Sequence, residues 1–210
     1  MTTPGLFERL WKGSMPALVS GQYPDWQHYY PSFVSSLIER YVRDLDSHID
    51  VLQFHRFMIA VTTYTAQLLN VNALAEDTDI NQSTAKNWLN ILETLGIIFL
   101  LHPYANNVLK CTVKTPKVYF YDTGLVCYLT KWSSPEVAES GAMNGALLEN
   151  FTVSELMKSY QNAGLEPYLY FYRDRDTKEI DVIMERDGQL FLWKSRKPLF
   201  LTDGLPGSLT

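Results

Sequence analysis

The sequence predicts an α+β protein in two units, and three patterns carry that reading. Between residues 33 and 95 apolar side chains recur at helical spacing, and Ile97 to Leu101 then form an unbroken apolar run. From about Gly145 a second amphipathic stretch begins, GALLENFTVSELMKSYQNAG. Behind it stand three extended runs, PYLYFYR, EIDVIME and QLFLWKS, parted by the polar turns DRDTK and RDG. With 210 residues, 46% of them hydrophobic and 13% aromatic, the chain has the material for a real core.

Residues 1–31 are punctuated by Pro4, Gly5, Gly13, Pro16, Gly21, Pro24 and Pro31 and read as turns. The first predicted helix covers Phe33 to Leu45, where Phe33, Val34, Leu37, Ile38, Tyr41, Val42 and Leu45 form one stripe. A second runs from about Val51 to Leu69. A short helix (Ala73 to Asp77), a turn at Asp79–Asn81 and a longer helix follow. Ala85, Trp88, Leu89, Leu92 and Leu95 form the inner face of the longer one. Asn81 or Ser83 is its expected N-cap and Gly96 its left-handed C-cap. Helix, turn, helix, strand is the order of a winged helix-turn-helix, over about 33–121; a small helical bundle on a sheet would use the same stripes. Lys117 to Tyr121 is the next strand. Asp122-Thr123-Gly124 is read as a turn and N-cap rather than an aspartic nucleophile. Residues 122–142 are taken as a connection. The helix and three-stranded meander at 143–195 match the front half of a restriction-endonuclease-like core, expected to be incomplete.

The net charge of −5 gives no overall attraction to nucleic acid or to an anionic membrane. Cys111 and Cys127 form neither a zinc pattern nor a disulfide framework. His28, His48, His55 and His102 show no metal spacing. With no apolar run of membrane-spanning length and no signal pattern, the expected location is cytoplasmic, without a membrane partner. No GxxxxGK[ST] loop occurs, so no cradle for ATP phosphates is present in the sequence.

Four motifs occur in one order: YTAQLLNVNALAEDTDINQSTAKNWLNILETLGIIFLLHPYANN, KTPKVYFYDTGL, GALLENFTVSELMKS and YFYRDRDTKEIDVIM. Together, over about Leu6 to Lys194, they resemble the C-terminal region of the prokaryotic AAA-type ATP-binding protein family, itself catalogued as a domain of unknown function. The resemblance implies an ATPase core in the parent architecture, followed by a winged helix and a domain similar to the PD-(D/E)XK nuclease fold. On this reading residues 1–32 are a junction behind an ATPase core, 196–210 a divergent tail, and the whole a truncated copy. ATP is then expected only for the missing ATPase domain, and no cofactor for this chain.

Nuclease chemistry in such a fold needs carboxylates that hold Mg²⁺ and a lysine that polarises the attack. The resemblance sets Glu149, Asp181 and Lys194 at those positions, with Asp181 as the metal ligand. Leu192 stands where a second carboxylate belongs. The expected site is therefore degenerate, with Mg²⁺ only if the nuclease alternative holds. For nucleic acid, the exposed face of the longer helix offers Ser83, Thr84, Lys86 and Asn87, and Lys110, Lys114 and Lys117 form a basic cluster in the expected wing. Glu76, Asp77, Asp79 and Glu93 lie close by and weaken phosphate binding, so a protein partner stays open beside nucleic acid. The expected role is a non-catalytic accessory region.

Overall fold

Among the described residues, two antiparallel three-stranded sheets, joined edge to edge by a short bridge, set the architecture. The computed structural model describes residues 3–23, 26–45, 49–104, 114–174, 179–186 and 188–194.

The N-terminal residues form helices rather than turns. They are α1 (Thr3–Lys12), α2 (Pro16–Val19) and α3 (Trp26–Ser36), which continues through a π-helical stretch at Leu37–Val42 into α4 (Arg43–Leu45). Pro16 and Gly13 do punctuate the chain, but at helix ends: Pro16 opens α2, and Gly13 follows α1 with φ +84°. Aromatic burial drives this packing. The Trp11 and Trp26 rings stack at 4.4 Å, Tyr30 is fully buried, and the Trp11 indole N–H donates to the Trp132 carbonyl at 2.8 Å.

Helix α5 (Val51–Thr62) is capped by Asp50, which accepts from the Gln53 N–H at 3.0 Å. It stops seven residues short of the expected Leu69. Thr62, Thr63 and Thr65 bond back to preceding carbonyls, Ala66 turns left-handed at φ 57°, and β1 (Gln67–Leu68) begins. Threonine side chains that satisfy the backbone locally compete with helix continuation. Next come α6 (Val71–Asp77) and α7 (Gln82–Thr94). Asn81, not Ser83, caps α7, accepting from the Thr84 N–H at 2.7 Å. Trp88 sits 5.3 Å from both Phe54 and Phe57, which pins α7 to α5. Strands β2 (Ile98–Leu101) and β3 (Lys117–Phe120) complete a sheet of order β1-β3-β2.

The expected connection holds two helices, α8 (Thr123–Leu129) and α9 (Pro135–Ser140), and α1 packs on both. Helix α10 (Asn144–Asn162) and strands β4 (Leu169–Arg173), β5 (Glu179–Arg186) and β6 (Gln189–Trp193) form the anticipated helix and meander. Phe171 of β4 bridges to the stretch after β2: its N–H donates to the His102 carbonyl at 3.1 Å and its carbonyl accepts from Tyr104 at 2.7 Å. Asn150 of α10, buried, accepts from the Phe120 N–H at 2.7 Å and donates to the Phe120 carbonyl at 2.9 Å. One apolar cluster mixes Phe99, Leu101 and Tyr119 with Val153, Met157, Phe171 and Val182. Because the meander's core is half made by β2 and β3, an isolated 143–195 segment is expected to remain unfolded. A dispersed amide spectrum from that segment alone would contradict this. No helix among the described residues is long and apolar enough to cross a membrane.

Candidate functional site

Lys117 opens β3 and is only 3% exposed, so its charge requires partners. Its ammonium lies 2.9 Å from Glu149 Oε1 and 2.6 Å from Glu179 Oε1. Tyr119, two residues along and so on the same face of the strand, donates its hydroxyl to the same Glu149 oxygen at 2.7 Å. Burial pushes the Glu149 carboxyl above its usual range, against the pull of Lys117. For Lys117 burial works downward, but Glu149 and Glu179 outweigh it and the ammonium is held above its ordinary value. The Tyr119 phenol is pushed well up, by burial first and by Glu149 next. The sequence puts Lys117 in a basic cluster of the expected wing. The structure corrects that: it is the buried centre of an ion-pair cluster joining the two sheets.

Asp181 reaches the cluster through a β-bulge. Tyr170 pairs with Ile183, but Tyr172 pairs with Ile180, so Asp181 and Val182 together face Phe171. A bulge breaks the in-and-out alternation of a strand and re-aims side chains. Both residues are accordingly buried, and the Asp181 charge is felt at Glu149 and Tyr119. Leu192 pairs with Ile183, and Lys194 follows the Val182–Trp193 pair, so continued register sets it across from Asp181. Of the three nuclease-type positions, Glu149 and Asp181 are thus brought together, and Lys194 stands at the end of the neighbouring strand. Glu149 is committed to Lys117 and Tyr119, Leu192 is apolar, and no group of three or more His, Cys, Asp or Glu among the described residues could hold a metal ion. These residues do not fit the Mg²⁺ that the resemblance implies.

Sequence reading missed Tyr119 and Glu179 as members of this cluster. Lys117 and Tyr119 do share a face of an otherwise apolar strand, which signals a buried charge. Their carboxylate partners lie 30 residues or more away and leave no local trace.

On the surface of α7, Ser83, Lys86 and Asn87 are exposed, with Gln82 and Asn90 beside them, while Thr84 is half-buried rather than exposed. Ser83 is already engaged, donating to Asn81 Oδ1 at 2.5 Å. Lys114 is exposed, and Lys110 lies outside the described residues. Glu76 and Asp77, at the end of α6, and Asp79, on the turn after it, are exposed.

A second polar node is structural. Asp122, buried, caps α8 by accepting from Leu125 N–H at 2.8 Å, and also accepts from Tyr30 Oη at 2.6 Å and Ser14 N–H at 2.6 Å. Beneath it, Cys127 is fully buried and its thiol is pushed up to about 12, by burial and then by Asp122. Reaction of Cys127 with a thiol reagent at pH 8 is expected only after denaturation. Rapid native labelling, mapped to Cys127 by mass spectrometry, would contradict this.

Tyr30, Tyr119 and Lys117 all hold their protons more tightly in the fold than their ordinary values of 10.0, 10.0 and 10.5. Raised groups contribute stability that is complete below the unfolded value and is lost as pH climbs toward the folded one. Stability is therefore expected to fall steeply above about pH 10, with phenolate absorbance from the two tyrosines appearing only as the chain unfolds. Flat stability from pH 9 to 11 would refute this.

Two family models match the chain: Domain of unknown function (DUF8612) over residues 3–136, and Domain of unknown function (DUF4143) over residues 144–195. Uncharacterized proteins of Mycobacterium bovis (strain ATCC BAA-935 / AF2122/97) and Mycobacterium tuberculosis (strain ATCC 25618 / H37Rv) are each 27% identical over 185 residues. That alignment takes in 87% of this chain and 41% of each relative, so the chain spans about two fifths of their length. No solved structure matches it.

Proposed function

The chain belongs to the DUF8612 family, and from that footing we propose that it is a non-catalytic accessory region of a larger AAA-type ATP-binding protein, binding a protein partner or nucleic acid. The greater length of its relatives supports an accessory role. The order α5-β1-α6-α7-β2-β3, with β3 between β1 and β2, supports a winged helix for the first unit. The α10 helix and its meander support a nuclease-like second unit.

One observation carries the word non-catalytic. The cation between Glu149 and Glu179 is the Lys117 ammonium, at 2.9 and 2.6 Å. A carboxylate that neutralises a buried lysine has little charge left for a metal, and Leu192 adds none. The alternative, a metal-dependent nuclease, would have to free Glu149 first. On the binding face, α7 offers one lysine, Lys86, beside exposed acids, which favours a protein partner over phosphate.

With Mg²⁺ or Mn²⁺ the chain is expected to leave labelled duplex and single-stranded DNA and RNA uncut. Metal-dependent cleavage that Asp181→Ala abolishes would overturn the reading. Duplex binding that weakens steeply with salt, and in a Lys86→Ala/Lys114→Ala variant, would select nucleic acid as the partner.

A further inference from the structure

At the far end of α10 an open groove of about 900 Å³ runs between the helix end and strands β4 and β5. Tyr160, Leu165, Tyr168 and Tyr170 supply its apolar surface, and Glu166 and Glu185 its carboxylates. Leu165 and Tyr168 are 59% and 50% exposed, unusual for side chains of this size.

The charge of the groove is set by its carboxylates. The Tyr168 hydroxyl donates to Glu166 Oε2 at 3.2 Å, and Glu166 is the main cause that raises its phenol. The Tyr170 phenol is raised by burial and then by Glu185. Arg186 also lines the groove, so two carboxylates face one guanidinium and the balance is negative. A negative groove repels phosphate, which excludes a nucleic-acid backbone here. Tyrosine faces backed by carboxylates attract a cation, and the exposed Leu165 beside them needs an apolar cover.

We infer that this groove docks a basic, partly apolar peptide segment of a protein partner, seating an arginine or lysine against Tyr168 and Tyr170 between Glu166 and Glu185, with an apolar neighbour on Leu165. The surface is separate from the exposed face of α7, and its occupant is independent of what α7 binds.

The test uses the full chain and two fluorescein-labelled hexapeptides, one alternating arginine with leucine and one alternating glutamate with leucine. Anisotropy is expected to show saturable binding of the arginine peptide only. Glu166→Gln/Glu185→Gln should weaken it by ~10-fold or more, as two charge-assisted contacts are lost. Tyr168→Ala should weaken it by ~2- to 10-fold through the lost cation–π contact. Glu39→Gln, in a different groove, should leave the affinity unchanged. Glu39, Glu166 and Tyr168 are exposed and Glu185 is half-buried, and the glutamine pair conserves volume, so folding is preserved and checked by melting temperature. Equal binding of the glutamate peptide, an unchanged affinity in the double glutamine variant, or no binding of the arginine peptide at low salt would each overturn the assignment.

Discussion

Lys117→Met is expected to destabilise the chain by about 3 kcal/mol at pH 7, because removing one partner of a buried ion pair leaves the other charge unpaired. The figure belongs at the lower end of such losses, since Glu179 keeps 27% of its side chain exposed and can find water. Glu149, 14% exposed, cannot do so as well. In the parent its carboxyl already lies above 4.5, and the Lys117 ammonium is what opposes a larger rise. In the variant that opposition is gone, so the carboxyl rises further. A group raised in the fold contributes stability below its unfolded value and loses it as pH rises through the folded one. The deficit of Lys117→Met should therefore be small near pH 4.5 and grow toward pH 7. Adding Glu149→Gln, which still accepts from Tyr119, should recover much of the loss. Urea unfolding at two pH values measures both effects. A deficit that ignores pH, or a double variant no better than the single, would show that the cluster is not held by this charge balance.

Much of the second unit was legible because its signals are local. The α10 stripe with the glycine that closes it, and the three extended runs of β4 to β6 parted by polar turns, each sit within a few residues of one another. The α6–α7 pair was equally readable from Asn81 and the Ala85–Trp88–Leu92 spacing. The N-terminal helices were not. Their prolines and glycines looked like turns, and what makes helices of them is contact with residues about a hundred positions later: Trp11 with Trp132, Tyr30 and Ser14 with Asp122. The candidate site divides in the same way. Glu149, Asp181 and the anomaly at Leu192 were visible as residues at motif positions. Lys117 was visible as a charge in a basic cluster, and its apolar strand hints at burial, but the carboxylates that hold it, Glu149 and Glu179, are far along the chain. The bulge that delivers Asp181 depends on an offset between two strands, which no single strand displays.

Asp122→Ala is expected to cost about 4 kcal/mol, since it leaves several buried donors without an acceptor. Those donors are the Ser14 and Leu125 N–H groups and the Tyr30 hydroxyl. They join α1, α3 and α8, so the loss should appear as one cooperative drop in unfolding free energy rather than local fraying. The node also explains two glycines. Gly13 has φ +84°, and a Cβ there would lie 2.2 Å from Tyr30 Oη and 2.7 Å from both Asp122 oxygens. A Cβ on Gly124 would meet the same hydroxyl at 2.2 Å and the Gly13 backbone at 2.8 Å. Gly13→Ala should thus be damaging twice over, through backbone strain and through collision with the hydroxyl. Tyr30→Phe removes that hydroxyl and separates the two causes. If the collision matters, Gly13→Ala should cost less in the Tyr30→Phe background than in the parent, a coupling above about 0.5 kcal/mol. Strict additivity in that double-mutant cycle would leave only the left-handed backbone as the reason for Gly13, and would mean that the hydroxyl, Asp122 and the glycine are not packed as one node.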